Sequence, residues 1–103
     1  MIRISVVIPT YKRSHLLKRC LSALTHQYLP REKYEIIVVS DGPCAASLQC
    51  VSEIQQTGTA SIRYFNLSEK GGPAAARNLG WQQAAGAIVA FTDDDCVPSA
   101  DWL

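Results

Sequence analysis

Glu35-Ile36-Ile37-Val38-Val39-Ser40, closed by Asp41-Gly42-Pro43, decides the fold. Its apolar residues run on without alternating with polar ones, and a strand of that kind is covered on both faces. Ile4-Ser5-Val6-Val7-Ile8, stopped by Pro9, has the same character, and so does Ala87 to Thr92. Ile62 to Asn66 is a further strand-like run, in which Arg63 points to a sheet edge or an exposed face. Strands covered on both faces belong to parallel sheets, whose members are joined by crossovers.

The segments between them read as helices. Ser14 predicts a cap for a helix running to about His26, with Leu16, Leu17, Cys20, Leu21 and Leu24 as an apolar stripe. Tyr28 to Lys33, containing Pro30, reads as a loop. A weaker helix from about Ala45 to Gln56 turns Leu48, Val51 and Ile54 inward and is broken by Thr57-Gly58-Thr59. Gly71-Gly72-Pro73 introduces an Ala-rich helix to about Ala85, with proline in its first turn and Gly86 at its stop. Its face of Ala76, Leu79 and Gly80 is small enough for close packing on a sheet. The order βαβαβαβ predicts an α/β fold: an open, mainly parallel sheet with helices on both faces, half of a Rossmann-like arrangement.

At 103 residues the chain can bury a single modest core. With 48% apolar and 18% charged residues it reads as a folded protein and not a disordered one. A net charge of +1 argues against a nucleic-acid partner. No apolar stretch approaches the roughly 18–20 residues of a membrane span. The N-terminus leads straight into a strand pattern without a separate signal-like apolar region, which suggests a cytoplasmic protein. The four cysteines form no Cys-x-x-Cys pair, so they read as reduced intracellular thiols and not as zinc ligands. Asn66-Leu67-Ser68 is then an incidental sequon.

Open parallel sheets bind ligands outside the carboxyl ends of their strands, where strand order reverses. Three strands here finish on polar groups: Thr10-Tyr11, Asp41, and Asp93-Asp94-Asp95. Adjacent acids repel one another and resist burial, so such a cluster usually has a cation to share. A solvated Asp-rich turn is the plain alternative, as a simple turn is for Asp41-Gly42. Acids from two strand ends converging on one crevice favour a site. Alternation along an extended segment pairs Asp93 with Asp95 and leaves Asp94 exposed or structural. Two hard carboxylates suit Mg2+ or Mn2+, with phosphates and water completing the shell, which points to a diphosphate ligand. Cys96 is too soft for that role and reads as packing.

Neither G-x-G-x-x-G nor G-x-x-x-x-G-K-[ST] occurs. Gly71-Gly72 suits either an approaching anion or the start of a helix. Arg77 suits a ligand or a neighbouring carboxylate, Lys12 and Arg13 a solvated loop, and His15 and His26 helix ends. A phosphoryl-transfer receiver domain also gathers acids at strand ends, but needs an early acid pair, and no acid precedes Glu32.

Four blocks span the chain in order: Val6-Val7-Ile8-Pro9-Thr10-Tyr11-Lys12-Arg13, Ile36-Ile37-Val38-Val39-Ser40-Asp41-Gly42, Gly72-Pro73-Ala74-Ala75-Ala76-Arg77-Asn78-Leu79-Gly80, and Phe91-Thr92-Asp93-Asp94-Asp95-Cys96-Val97-Pro98. Together they resemble the family 2 inverting glycosyltransferases of the GT-A fold. The resemblance implies a nucleotide site made by Pro9, Thr10, Tyr11, Arg13, Asp41, Arg77, Asp93 and Asp94. Thr10 and Tyr11 would lie against the base, Asp41 would hydrogen-bond it, Arg77 would stand near the nucleotide, and Asp93 would meet the ribose. Asp95, with Asp93, would hold Mn2+ or Mg2+ against the departing diphosphate.

The resemblance further implies a nucleotide-sugar donor, with UDP favoured over GDP or dTDP. The sugar would pass with inversion to a sugar or lipid-linked acceptor hydroxyl, in cell-surface polysaccharide biosynthesis at the inner face of the membrane. The general base such a reaction requires is expected beyond Leu103. Residues 1–103 thus read as a donor-binding part cut short after the D-x-D motif and inactive alone. The fourth strand would be an unpaired edge open to self-association. A non-catalytic nucleotide- or metal-binding module of the same fold is the alternative.

Overall fold

In the computed structural model, which describes every residue except Thr59, four strands form one parallel sheet: β1 (Ile4–Thr10), β2 (Tyr34–Ser40), β3 (Ser61–Asn66) and β4 (Ile88–Phe91). Their order is β3-β2-β1-β4, with β1 paired to β2 from Ile4↔Tyr34 to Thr10↔Ser40 and to β4 from Ile4↔Ile88 to Val7↔Phe91. Helices α1 (Ser14–Leu24), α2 (Ala45–Gln55) and α3 (Pro73–Gln82) connect them, and a short 3-10 turn, Arg31–Lys33, precedes β2. The doubly wound α/β architecture expected from the strand runs is present.

Strand pleating divides the core. Val6, Ile8, Ile36, Val38 and Ile62 face Leu17, Cys20, Leu21 and Leu24 of α1 and Cys50 and Val51 of α2. Val7, Ile37 and Val39 point the other way, onto Ala76 of α3. Each large side chain so buried contributes roughly 1.5–3 kcal/mol. Gly80 lets α3 close on the sheet, because a Cβ there would stand 2.4 Å from Val7 Cγ1. The chain steps outward from β1 to β3, then returns past both to β4. Right-handed crossovers in opposite directions put α1 and α2 on one face and α3 on the other.

Several local expectations need correction. Pro9 does not stop β1, which continues to Thr10. Val7 turns its carbonyl to Thr92, so Pro9, two residues on, faces the same side, where β4 has ended and no N–H is required. Ser14 is the first residue of α1 and not its cap; Arg13 occupies the cap position without a side-chain cap hydrogen bond. The Tyr28 to Lys33 loop contains the 3-10 turn. Leu48 is 49% exposed, because α2 turns Ser47, Cys50 and Val51 inward instead. Thr57 and Gly58 follow α2 as expected, while Thr59 lies outside the described residues. Arg63 does lie on an edge strand, β3, and β4 forms the opposite edge.

A polar network went unforeseen. Glu35, 3% exposed, accepts hydrogen bonds from Ser5 Oγ at 2.7 Å and the Ala85 N–H at 2.8 Å, and pairs with Arg63 at 2.9 Å. Arg63 also donates to the Gln83 carbonyl, and Gly86 N–H donates to Ser5 Oγ at 2.9 Å. These contacts tie the segment after α3 to the first residues of the strands, opposite the carboxyl-end edge. Gly86 is required there, since a Cβ would meet the Arg3 carbonyl oxygen at 2.9 Å.

Candidate functional site

Strand order reverses between β1 and β4, and a cavity of about 250 Å³ opens at their carboxyl ends. Pro9, Thr10, Tyr11, Arg13, Asp41 and all three acids, Asp93, Asp94 and Asp95, line it, with Pro73 and Ala76 of α3 completing the wall. The strand-end acids therefore meet in one crevice. Arg77 is not in it. That side chain lines a neighbouring groove of about 580 Å³, which shares Pro9 and Asp93 with the cavity and continues over Phe91, Val97 and Trp102.

The three acids have separate environments. Asp94 is 4% exposed and accepts from Thr10 Oγ1 at 2.8 Å, and Arg13 approaches its other oxygen at 3.4 Å. Asp94 is thus a strut between β1 and the acidic loop. Asp93 and Asp95 are exposed. Their pairing comes from a turn and not from extended alternation: Cys96 N–H donates to the Asp93 carbonyl at 3.2 Å. One carboxylate oxygen from each lies within 4.8 Å of the other, and of the Cys96 sulfur. Two accessible carboxylates with room for phosphate and water fit Mg2+ or Mn2+, whereas the thiol does not. Cys96 itself is exposed, so its expected role in packing is not met.

Asp41 is 6% exposed, and its oxygens accept from Gly71 N–H at 2.7 Å and Gly72 N–H at 3.1 Å. The anion at the start of α3 is therefore one the chain supplies itself, and Gly72 takes φ +93, a conformation glycine adopts readily. Lys70, which sequence reasoning passed over, sets its ammonium 4.7 Å from the Tyr11 ring centroid, and Lys12 approaches the same ring at 5.5 Å. A lysine directly before the glycine pair was the available signal.

Beneath the acids, Cys20 Sγ lies 3.7 Å from the Asp93 carbonyl. Burial pushes this thiol up to about 12, helped by the nearby Cys96 thiol and the three carboxylates. It stays protonated and inert under the acidic loop.

The sequence profile of Glycosyl transferase family 2 matches residues 5–103. The chain belongs to this family. Its likeness to glycosyltransferase AglE of Haloferax volcanii is 37% identity over 100 residues, 97% of this chain and 33% of that protein. Among solved structures, the mannosyltransferase PcManGT of Pyrobaculum calidifontis, in complex with GDP-Man and Mn2+, superposes with a TM-score of 0.88 at 29% identity over 95% of this chain and 29% of that one. S. aureus TarS in complex with UDP-GlcNAc gives a TM-score of 0.84 at 30% identity, covering 91% of this chain and 27% of that chain. The fold of this glycosyltransferase-family chain is the GT-A arrangement, and the chain spans about a third or less of these relatives' length.

Proposed function

We propose that residues 1–103 bind the nucleoside-diphosphate part of a sugar donor, UDP-linked by preference, and serve transfer of the sugar with inversion to a sugar or lipid-linked acceptor hydroxyl. The observation that carries this is the meeting of Asp41 with Asp93 and Asp95 in one cavity at the reversal of strand order. At about 250 Å³ the cavity is smaller than typical ligand clefts of roughly 300–1,000 Å³, so it takes only part of such a donor. The base and ribose fit between Tyr11, Asp41 and Asp93. The diphosphate and sugar then extend over Asp93 into the groove where Arg77 stands.

Asp93 and Asp95 would hold Mg2+ or Mn2+, which when bound offsets the charge of the leaving diphosphate. Arg13 and Asp94 fix the loop that presents both acids. Calorimetric titration with UDP, GDP and dTDP, with and without Mn2+, on the parent and on Asp95→Ala tests the proposal. A metal-dependent heat lost in Asp95→Ala supports it, and no heat with any nucleotide refutes it. Self-association through the outer edge of β4 belongs to the same proposal, and a clean monomer by light scattering at high concentration counts against it.

A further inference from the structure

The geometry points to Asp41 as a positioning residue, whose carboxylate pins the Gly71 and Gly72 amides so that Pro73 and the first turn of α3 form a fixed cavity wall. Asp41 directly follows β2, while the glycines end the β3–α3 connection thirty residues on. Its Oδ1 accepts from Gly71 at 2.7 Å and from Gly72 at 3.1 Å, and Oδ2 reaches the Gly72 amide at 3.2 Å. Amides leading into a helix, here those of the cap residue Gly72 and of Gly71 before it, have no intrahelical partner and face the positive end of the helix dipole, so a buried carboxylate on them is a strong tie. Ala76 N–H donates to the Gly72 carbonyl, so one of the amides pinned by Asp41 belongs to the residue that caps α3.

A second contact holds the same connection: the Lys70 ammonium over the Tyr11 ring joins it to the end of β1. Gly42, at φ +96, keeps the crossing narrow, with the Lys70 amide nitrogen 3.6 Å from where its Cβ would be. Two strand ends thus grip one loop from both sides. A ligand base meets a carboxylate whose oxygens are already engaged, and the wall it leans on is in place before it arrives.

The ligand arm of the test rests on the nucleotide proposal above, and the arm on the free protein does not. Asn at this position keeps an oxygen that both amides can reach and loses the charge, whereas Ala loses the oxygen as well. Amide hydrogen exchange by NMR on the 103-residue chain is expected to show Gly71 and Gly72 protected in the parent and in Asp41→Asn. In Asp41→Ala their exchange should be faster by roughly tenfold or more, in line with loss of hydrogen bonds to a charged acceptor. Titration with UDP and Mn2+ should weaken far more in Asp41→Ala than in Asp41→Asn. Unprotected Gly71 and Gly72 amides in the parent overturn the assignment. So does an equal loss of affinity in both variants while Asp41→Asn keeps its amides protected, since the charge would then be read by the ligand directly. If UDP fails to bind the parent, the nucleotide proposal falls and the amide comparison still decides the role of Asp41.

Discussion

The Thr10 hydroxyl donates to the Asp94 carboxylate at 2.8 Å across 84 residues, and both side chains are buried. This bond fastens the acidic loop to the end of the central strand. Asp94→Ala would leave the Thr10 hydroxyl without its acceptor and is expected to cost about 1–3 kcal/mol. Asp94→Asn, which keeps an acceptor, should lose less. Urea unfolding measures both, and an unshifted midpoint for Asp94→Ala would remove the strut from the account.

The flanking acids should behave in the opposite way. Asp93 and Asp95 are exposed and, among the described residues, make no side-chain contact across the fold comparable to the Asp94 bond. Replacing either with Ala is expected to leave stability within about 0.5 kcal/mol of the parent. The Mn2+-dependent part of nucleoside diphosphate binding should nevertheless disappear, most completely in the double variant. Calorimetry paired with unfolding curves would show whether the two properties separate in this manner.

Glu35→Ala should be the most damaging of these changes. Removing this nearly fully buried carboxylate takes the acceptor from Ser5 and the Ala85 amide and the ion partner from Arg63, and each buried group left unsatisfied costs roughly 1–3 kcal/mol. In a domain of this size each kcal/mol lowers the melting temperature by about 4–8 °C. Arg63→Ala leaves Glu35 its hydrogen bonds from Ser5 and the Ala85 amide and should be milder. Thermal unfolding of the two variants gives the ranking, and a reversed order would contradict the network's role.

The cysteines should label unequally. Cys44 is half-buried at the start of α2, and the Ser47 hydroxyl, followed by the Ser47 amide, holds its thiol below the usual range. Cys96 is exposed, whereas burial raises both Cys20 and Cys50. Iodoacetamide near neutral pH, read by mass spectrometry, should modify Cys44 and Cys96 in the folded chain and reach Cys20 and Cys50 only on unfolding. The pH effect follows from the same shift. An unfolded Cys20 ionises near 9.0 and the folded one near 12, so its contribution to stability is full below pH 9 and lost as pH rises toward 12.

The strand runs of β1 and β2 and the stripe on α1 were legible because burial on two faces leaves an unbroken apolar run, and burial on one helical face a periodic stripe. The meeting of Asp41 with the acids of residues 93–95 followed from parallel topology alone. Other features carried no local trace. Glu35 and Arg63 look like interruptions in apolar strands until the sheet register, with Glu35 opposite Ser61 and Arg63 opposite Ile37, sets them on one diagonal. Asp41-Gly42 reads as a turn because its partners, Gly71 and Gly72, are thirty residues distant. Leu48 was placed inward by helical spacing, yet the small residues Ser47 and Cys50 are the ones that let α2 lie on the sheet. Arg77 is on the expected helix, but it follows Ala76 by one residue, about 100° further round, and so lines the neighbouring groove instead of the cavity.

Pro9 has an effect beyond its own strand. With no hydrogen to offer on the side facing Thr92, it cannot extend the pairing of β1 with β4 past the Thr92 N–H on the Val7 carbonyl. The cleft, which Pro9 lines, thus begins at the rung where a donor is missing. An ordinary amide at this position would invite one more rung and draw the acidic loop inward across the opening.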